Sequence, residues 1–223
     1  MKFLSTLPIP NAVIPILRLF LLCCLCVGGG CTFLKPGPAP DVYGLMAQSE
    51  FPSNLPTLNT RLLIDEPSAV LALNNNRIAV KTTAFNYRYL GKARWMDRAP
   101  AMVQALLLRS FQNTNAIMSV EDVAVGYTQD YELSPELWDF QAEVYDGTPH
   151  VTIRLVGRIL DRKQGRILAL KTFTATQTMP PGSATDSADV LVPAFNAALS
   201  IILQETVVWT IDTLATLSQT ETD

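Results

Sequence analysis

Cysteine is missing from residue 32 to the end of this 223-residue chain, and histidine occurs once, at His150. Without spaced cysteines, the folded part has no disulfide framework. A zinc site or a Ser-His-Asp or Cys-His centre would depend on His150, which follows Pro149 at a predicted, solvent-facing hairpin. G-x-S-x-G, H-E-x-x-H and Walker-type sequences are also absent. The sequence therefore predicts neither an enzyme nor a metal or cofactor site.

A second absence concerns acidic residues, which do not occur before Asp41. Two basic residues, Lys2 and Arg18, precede a nine-residue apolar run at 19–27. This run is too short to span a hydrocarbon core, which needs about 20 residues in a helix. Three glycines at 28–30 follow it. A basic segment, a short apolar run and small residues together are typical of a secretory signal.

Four cysteines fall in or directly after this segment, at positions 23, 24, 26 and 31. They are too crowded to close loops or to supply separated pairs of zinc ligands. The order of residues before Cys31 resembles a bacterial lipoprotein signal, in which that cysteine is acylated and becomes the mature N-terminus. The chain departs from the usual pattern at Gly28, where such signals carry leucine. An ordinary signal peptide or an uncleaved anchor is the alternative.

The lipoprotein resemblance implies that residues 1–30 are a removed signal peptide and that Cys31 is the site of lipid attachment. Stable anchoring takes two acyl chains, so three on one residue would hold the protein at the membrane. Thr32 replaces the Asp that often retains such proteins in the inner membrane, and so points to the outer membrane, facing the periplasm. Residues 31–41 are rich in proline, so we expect an extended tether of about 3 Å per residue.

The remaining chain is acidic. The sequence has 17 basic and 20 acidic residues, and Lys2 and Arg18 belong to the predicted signal. This balance offers no attraction for nucleic acid or anionic lipid headgroups. By length, the mature chain makes one domain. We predict that this domain covers 42–213 and that a disordered tail covers 214–223.

Hydrophobic periodicity predicts an α+β fold. Strands are predicted at 61–67, 76–82, 85–90 and, as an antiparallel meander, within 136–176. Helices are predicted at 97–113, capped by Asp97, and at about 188–213. This order predicts an antiparallel or mixed sheet with two main helices packed on one face.

One predicted strand alternates clearly between apolar and polar residues. We expect its apolar set to face the core, namely Trp138, Phe140, Ala142 and Val144. We expect its polar set to face solvent, namely Asp139, Gln141, Glu143 and Tyr145. Asp139 and Glu143 would lie about 13 Å apart along the strand. This separation is too large for a pair of carboxylates in acid–base catalysis.

The last predicted helix is apolar on more than one side. One stripe faces the core and comprises Leu191, Phe195, Ala198, Ile202 and Trp209. A second row comprises Ala194, Ala197, Ile201 and Val208. It meets either the first helix of the same chain or a second copy, which would make a homo-oligomer. A membrane-spanning helix is disfavoured because the uncharged stretch 190–204 is short and interrupted by Pro193 and polar residues.

Trp95 and Arg94 stand just before the first helix. Trp and Arg dominate the energetics of many protein interfaces, so both are candidates for partner contact. Trp95 could equally be a core residue that closes the sheet onto the helix, and we favour the core position.

Several segments, taken together, resemble the ABC-type transport auxiliary lipoproteins. Within 62–111 the characteristic parts are RIAV, Y-x-Y and ARW-x-D followed by an apolar helix. LWDFQAEVYDG (137–147), GRILALKTF (165–173) and AFNAAL (194–199) ahead of Trp209 agree, as does VYGL after the Pro-rich segment. The resemblance covers nearly all of 31–211, and it depends on the order and spacing of the segments.

The resemblance implies a fold similar to the N-terminal domain of the TolB periplasmic protein, with a sheet and two helices. It also implies a non-enzymatic, outer-membrane partner of transporters that contain mammalian-cell-entry (MCE) domains and move lipids between the two membranes. The only family feature carried over to a residue is acylation, at Cys31. One alternative is an independent periplasmic lipid carrier. An envelope hydrolase is a less favoured alternative, because the sequence offers no nucleophile–base pair.

Overall fold

A computed structural model describes residues 39–122, 129–145, 147–180 and 182–220. The predicted signal peptide, Cys31 and the tether as far as residue 38 lie outside the described residues. From Pro40 onward, the described residues form one compact unit.

The strands of this unit form one nine-stranded sheet. They are β1 (Asp41–Tyr43), β2 (Leu58–Ile64), β3 (Ser68–Ala69), β4 (Arg77–Thr83), β5 (Asn86–Trp95), β6 (Ile117–Glu121), β7 (Tyr131–Glu143), β8 (His150–Asp161) and β9 (Arg166–Thr178). Along one edge of β7, the strands β2, β3 and β4 pair with it in turn, all parallel. Along the other edge, β8 and then β9 continue the sheet antiparallel. Strand β6 joins β2, and β5 followed by β1 joins β4.

The predicted α+β fold is confirmed, and the sheet is mixed. The meander β7–β8–β9 is antiparallel, as its alternating sequence predicts. The parallel contacts of β7 were not predicted, and neither were β3 and β6.

Strand β7 contains a bulge that changes which of its residues face the core. The register passes from Leu137 to Asp139 while the partner strand advances by one residue, so Trp138 is an extra residue. A bulge of this kind shifts the alternation of the side chains. Leu137, Phe140 and Ala142 are therefore buried, whereas Trp138 is 51% exposed. The prediction that Trp138 faces the core was wrong, and it was correct for Phe140 and Ala142.

The first helix, α1, spans Ala99–Thr114 and begins later than predicted. Arg98 is in the N-cap position and makes no side-chain capping bond. The Asp97 carboxylate accepts the backbone N–H of Arg98 (2.6 Å), before the helix begins. The N–H of Ala99 donates to the carbonyl of Asn75 (3.1 Å). The prediction that Asp97 caps the helix was thus wrong. The carbonyl of Asn75, and not a side chain at the N-cap, accepts the amide of Ala99 in the first turn.

The second helix, α2, spans Ala188–Thr220 and continues beyond the predicted end at Thr213. Leu214 is 1% exposed, since it extends the core-facing stripe by one more turn. The prediction of a disordered tail at 214–223 was therefore wrong as far as Thr220, and residues 221–223 lie outside the described residues. By length and composition α2 could cross a membrane, but half of its most apolar stretch is buried inside the protein.

Both helices contribute to one hydrophobic core with the sheet. From α1 the core takes Val103, Leu107 and Phe111, and from α2 it takes a longer row of fully buried side chains, namely Leu191, Phe195, Ala198, Leu199, Ile202, Leu203, Val207 and Ile211. Trp209 is half-buried and packs edge-on against Phe173 of β9, with ring centroids 5.5 Å apart. The predicted stripe of α2 is thus the core-facing side of the helix.

Candidate functional site

Trp95 and Arg94 occupy different environments. Trp95 is 1% exposed and packs against Phe140 and Phe195, with ring centroids 5.8 and 5.1 Å away. Its indole Nε1 is buried without a hydrogen-bond partner among the described residues. Trp95 is therefore a core residue, and the alternative of a partner contact does not hold for it. Arg94 is exposed at the end of β5, next to the short edge strand β1.

The face of the sheet opposite the helices carries a ladder of ion pairs. Acidic residues from β7 meet basic residues from β4, β8 and the β8–β9 turn, in the pairs Glu136–Arg158 (2.8 Å), Asp139–Arg154 (3.3 Å), Asp139–Lys81 (3.9 Å) and Glu132–Arg162. Hydrogen bonds from Arg158 and then from Trp138 lower the pKa of Glu136. Glu132, Glu136 and Asp139 are thus each compensated by a neighbouring base.

Gln141 occupies the middle of this ladder and is fully buried. Its amide nitrogen donates to Asp139 (2.9 Å) and to Glu143 (3.1 Å), and its amide oxygen accepts the N–H of Phe140 (2.9 Å). Burial acts against ionisation of Glu143, but hydrogen bonds from Gln141 and Tyr145, together with the positive charge of Lys81, lower its pKa overall. The prediction of a solvated face was therefore wrong at Gln141, since neighbouring long side chains cover its amide.

A carboxyl pair joins the end of β2 to the start of β7. Asp65 hydrogen-bonds to Glu132, and Arg162 forms an ion pair with Glu132. Burial, followed by the hydrogen bond and the negative charge of Glu132, raises the pKa of Asp65 to about 6, against a smaller lowering effect of Arg162. Asp65 therefore binds a proton in mildly acidic solution, at a pH where an ordinary aspartate is ionised. No sequence signal indicated this pair, because its members are far apart along the chain.

A surface groove of about 500 Å³ runs beside α2. Its lining residues come from α2, from β9 and from the loop after β1, and they are Ile201, Gln204, Glu205, Val208, Trp209, Asp212, Lys171 and Pro52. Of the predicted second row, Ala194 is buried within the chain, whereas Ala197 and Ile201 are exposed and Val208 is half-buried. The groove therefore displays part of the row that we expected to need a neighbour.

In the described part of the chain, no three His, Cys, Asp or Glu side chains come together as metal ligands would. The acids of β7 are held by bases or by Gln141, and His150 places its Nδ1 3.0 Å from the carbonyl of Thr148. These groups stabilise one another, and none of them is aimed at a shared space as a nucleophile and base would be.

Comparison with known proteins identifies relatives over most of the chain. A family described as the ABC-type transport auxiliary lipoprotein component matches residues 43–205. An uncharacterized protein of Bradyrhizobium diazoefficiens, bll6063, is 30% identical over 191 residues, which are 82% of this chain and 47% of the relative. The chain thus spans about half the length of this curated relative.

Two solved structures are similar in fold. Protein XCC0632 from Xanthomonas campestris has a TM-score of 0.72 at 24% identity, over 80% of this chain and 99% of that one. A crystal structure of an uncharacterized protein has a TM-score of 0.54 at 16% identity, over 76% and 99% of the two chains. At these identities the likeness shows the fold alone. The match of residues 43–205 shows more: this chain belongs to the family of ABC-type transport auxiliary lipoproteins.

Proposed function

We propose that this protein is a non-enzymatic auxiliary component of an MCE-type ABC transporter, and that this transporter moves phospholipid between the inner and outer membranes. Acyl chains on Cys31 would hold it in the outer membrane, facing the periplasm. The observation that carries the proposal is the family match over residues 43–205, since that family accompanies ABC-type transport. The MCE partner, the lipid cargo and the choice of the outer membrane go beyond the family match and are part of the proposal.

The distribution of polar groups supports a non-enzymatic role. The acids of the outer sheet face are engaged with Arg154, Arg158, Arg162 and Lys81, as described above. General acid–base and nucleophilic mechanisms need a reactive group positioned next to its base and open to a substrate. The described residues offer contact surfaces instead.

The filled interior disfavours an independent lipid carrier. A carrier needs a cavity for acyl chains, whereas the space between sheet and helices is occupied by large side chains, among them Trp95, Phe111, Phe140, Phe173 and Phe195. Interiors packed in this way leave few voids larger than a water molecule. An adaptor that works by contact agrees better with this core. Homo-oligomerisation stays a prediction, supported by the exposure of Ala197 and Ile201.

Affinity isolation tests the assignment. The tagged full-length protein is isolated in mild detergent from envelopes of its own host, and the retained proteins are identified by mass spectrometry. We expect the ATPase, the permease and an MCE-domain protein of one transporter, in constant ratio to the bait. Isolation without these subunits, but with bound phospholipid that persists in detergent-free buffer, would favour the carrier.

A further inference from the structure

Strand β9 leaves one long edge of the sheet open. It pairs with β8 along its length and with no other strand among the described residues. Backbone N–H and C=O groups on its other side therefore point away from the sheet. Such a row of donors and acceptors is a template for one more strand.

The usual protections of an edge strand are weak in β9. Natural proteins shorten such strands, or place proline, charges or bulges in them. The outer strands β1 and β6 are short, with three and five residues, whereas β9 has 13. It contains no proline or acidic residue, and its basic residues are Arg166 and Lys171. Its register shift lies near Leu168, which leaves 169–178 regular, a length of roughly 33 Å at 3.3 Å per residue.

The α2 groove lies next to this open edge. Lys171 of β9 lines the groove on the side of the sheet, and apolar side chains of α2, including Ile201, Val208 and Trp209, line it on the side of the helix. Side chains of a strand alternate between its two faces, so a strand added to β9 would direct every second side chain to the helix side. The groove volume of about 500 Å³ is within the range of ligand sites, about 300–1,000 Å³.

We propose that β9 and α2 together form a docking site for an extended peptide segment of a partner protein. The segment adds to β9 as a further strand, with apolar side chains at alternate positions and one basic side chain among them. The backbone bonds of such a strand supply affinity, and the pockets for alternate side chains supply specificity. Glu205 and Asp212 outnumber Lys171 in the groove, which favours the basic side chain.

A second copy of this chain fits the site less well than a free segment does. The large inward side chain of its own β9, Phe173, is fully buried against Trp209 of the same chain. Phe173 is therefore not available to fill the groove of another copy. The inference stands apart from the transporter assignment, since it depends only on the edge and the groove.

Peptide binding to the full-length mature protein in detergent tests the proposal. The probe is a synthetic nonapeptide, Val-Thr-Val-Thr-Lys-Thr-Val-Thr-Val, whose valines and lysine share one face. Binding is followed by tryptophan fluorescence in a Trp138→Phe background, which leaves Trp209 at the groove and Trp95 in the core as a constant contribution. We expect saturable binding that weakens at least tenfold in Ile201→Asp. The matched control, Met118→Asp on β6, changes another exposed apolar residue outside the groove (53% exposed, against 42% for Ile201) and should bind as before.

Proline substitution tests the edge itself. Neighbouring residues of a strand direct their N–H groups to opposite edges, so one of Lys171→Pro and Thr172→Pro breaks the ladder to β8 and the other removes only a free donor. Thermal unfolding identifies the latter, which we expect to bind the peptide at least tenfold more weakly than the alanine variant at the same position, which loses the side chain but keeps the donor. If both prolines unfold the chain, Ile201→Asp decides alone.

Two outcomes would overturn the proposal. One is the absence of saturable binding, or equal binding by the groove variant and its control. The other is that light scattering finds the protein alone to be a dimer, and that both Ile201→Asp and the proline variant that keeps the fold convert it to a monomer. A second copy would then occupy the site.

Discussion

Three aromatic side chains join the helix layer to the sheet at the scale of single residues. Trp95 from β5, Phe140 from β7 and Phe195 from α2 lie with ring centroids between 5.1 and 5.8 Å apart. Aromatic pairs in tilted or edge-to-face geometry contribute about 0.5–1.5 kcal/mol beyond their burial. Phe195 contacts both other rings, so it connects the last helix to two strands that are distant in sequence.

Phe195→Ala should lower the free energy of unfolding by about 3–5 kcal/mol, because it removes a fully buried ring and leaves a cavity. Denaturant unfolding measures the loss. Phe85→Ala is the matched control, since the same change is made at a side chain that is 97% exposed at the β4–β5 turn. Equal stability of the two variants would mean that the aromatic cluster does not hold the helix.

Asp65→Asn should change how stability depends on pH. The folded pKa of Asp65, about 6, is above its ordinary value of 3.8, so the folded protein binds the extra proton in this window. The stability that this proton contributes is present at low pH and is lost as the pH rises through about 6. From pH 4 to 7, the melting temperature of the natural protein should therefore fall relative to that of the variant.

The control for this experiment is Glu50→Gln, which neutralises an exposed carboxyl outside the pair. Its melting temperature should follow that of the natural protein across the same pH range. Parallel curves for the natural protein and Asp65→Asn would contradict the raised pKa of Asp65.

At the scale of elements, the sequence predicts the antiparallel meander and both helices correctly. It is less successful for the bulge in β7 and for the residues at which the helices begin and end. The alternation of β7 is correct at Phe140 and Ala142, but the bulge at Trp138 changes its phase. No residue type marks such a bulge, since it depends on the register with β8. Similarly, the start of α1 depends on the backbone hydrogen bond from Ala99 to Asn75, a residue of the turn before β4.

Deletion of residues 214–223 should destabilise the protein and lower its melting temperature by several degrees. It removes the buried Leu214, and a lost buried leucine side chain costs about 2–5 kcal/mol. Deletion of 221–223 alone is the control, because it leaves α2 intact as described. If both deletions melt together with the natural protein, the last two turns of α2 contribute nothing to the core.

For the whole molecule, membership of a lipoprotein family means attachment to a membrane of the cell envelope. The surfaces at which we propose that other envelope proteins bind are the open edge of β9 and the α2 groove.

Cys31→Ser should abolish acylation, because no cysteine follows position 31 and the earlier ones lie in the predicted signal. Mass spectrometry of the mature natural protein should find acyl chains on Cys31, and membrane fractionation should find the natural protein with the outer membrane. The variant should lose both the acyl chains and the membrane association. An unmodified N-terminus at another residue in the natural protein would reject Cys31 as the anchor.

The sequence by itself determined the patterns that local chemistry dictates. The segment before Cys31 predicts an envelope lipoprotein, the spaced apolar residues of α2 predict a core helix, and the alternation in 136–176 predicts a meander. Tertiary structure decided the rest: the parallel strands along one edge of β7, the burial of Gln141 and the raised pKa of Asp65. Each depends on groups that are distant in the chain and meet only after folding, so their packing, burial and charge cannot be read from local sequence.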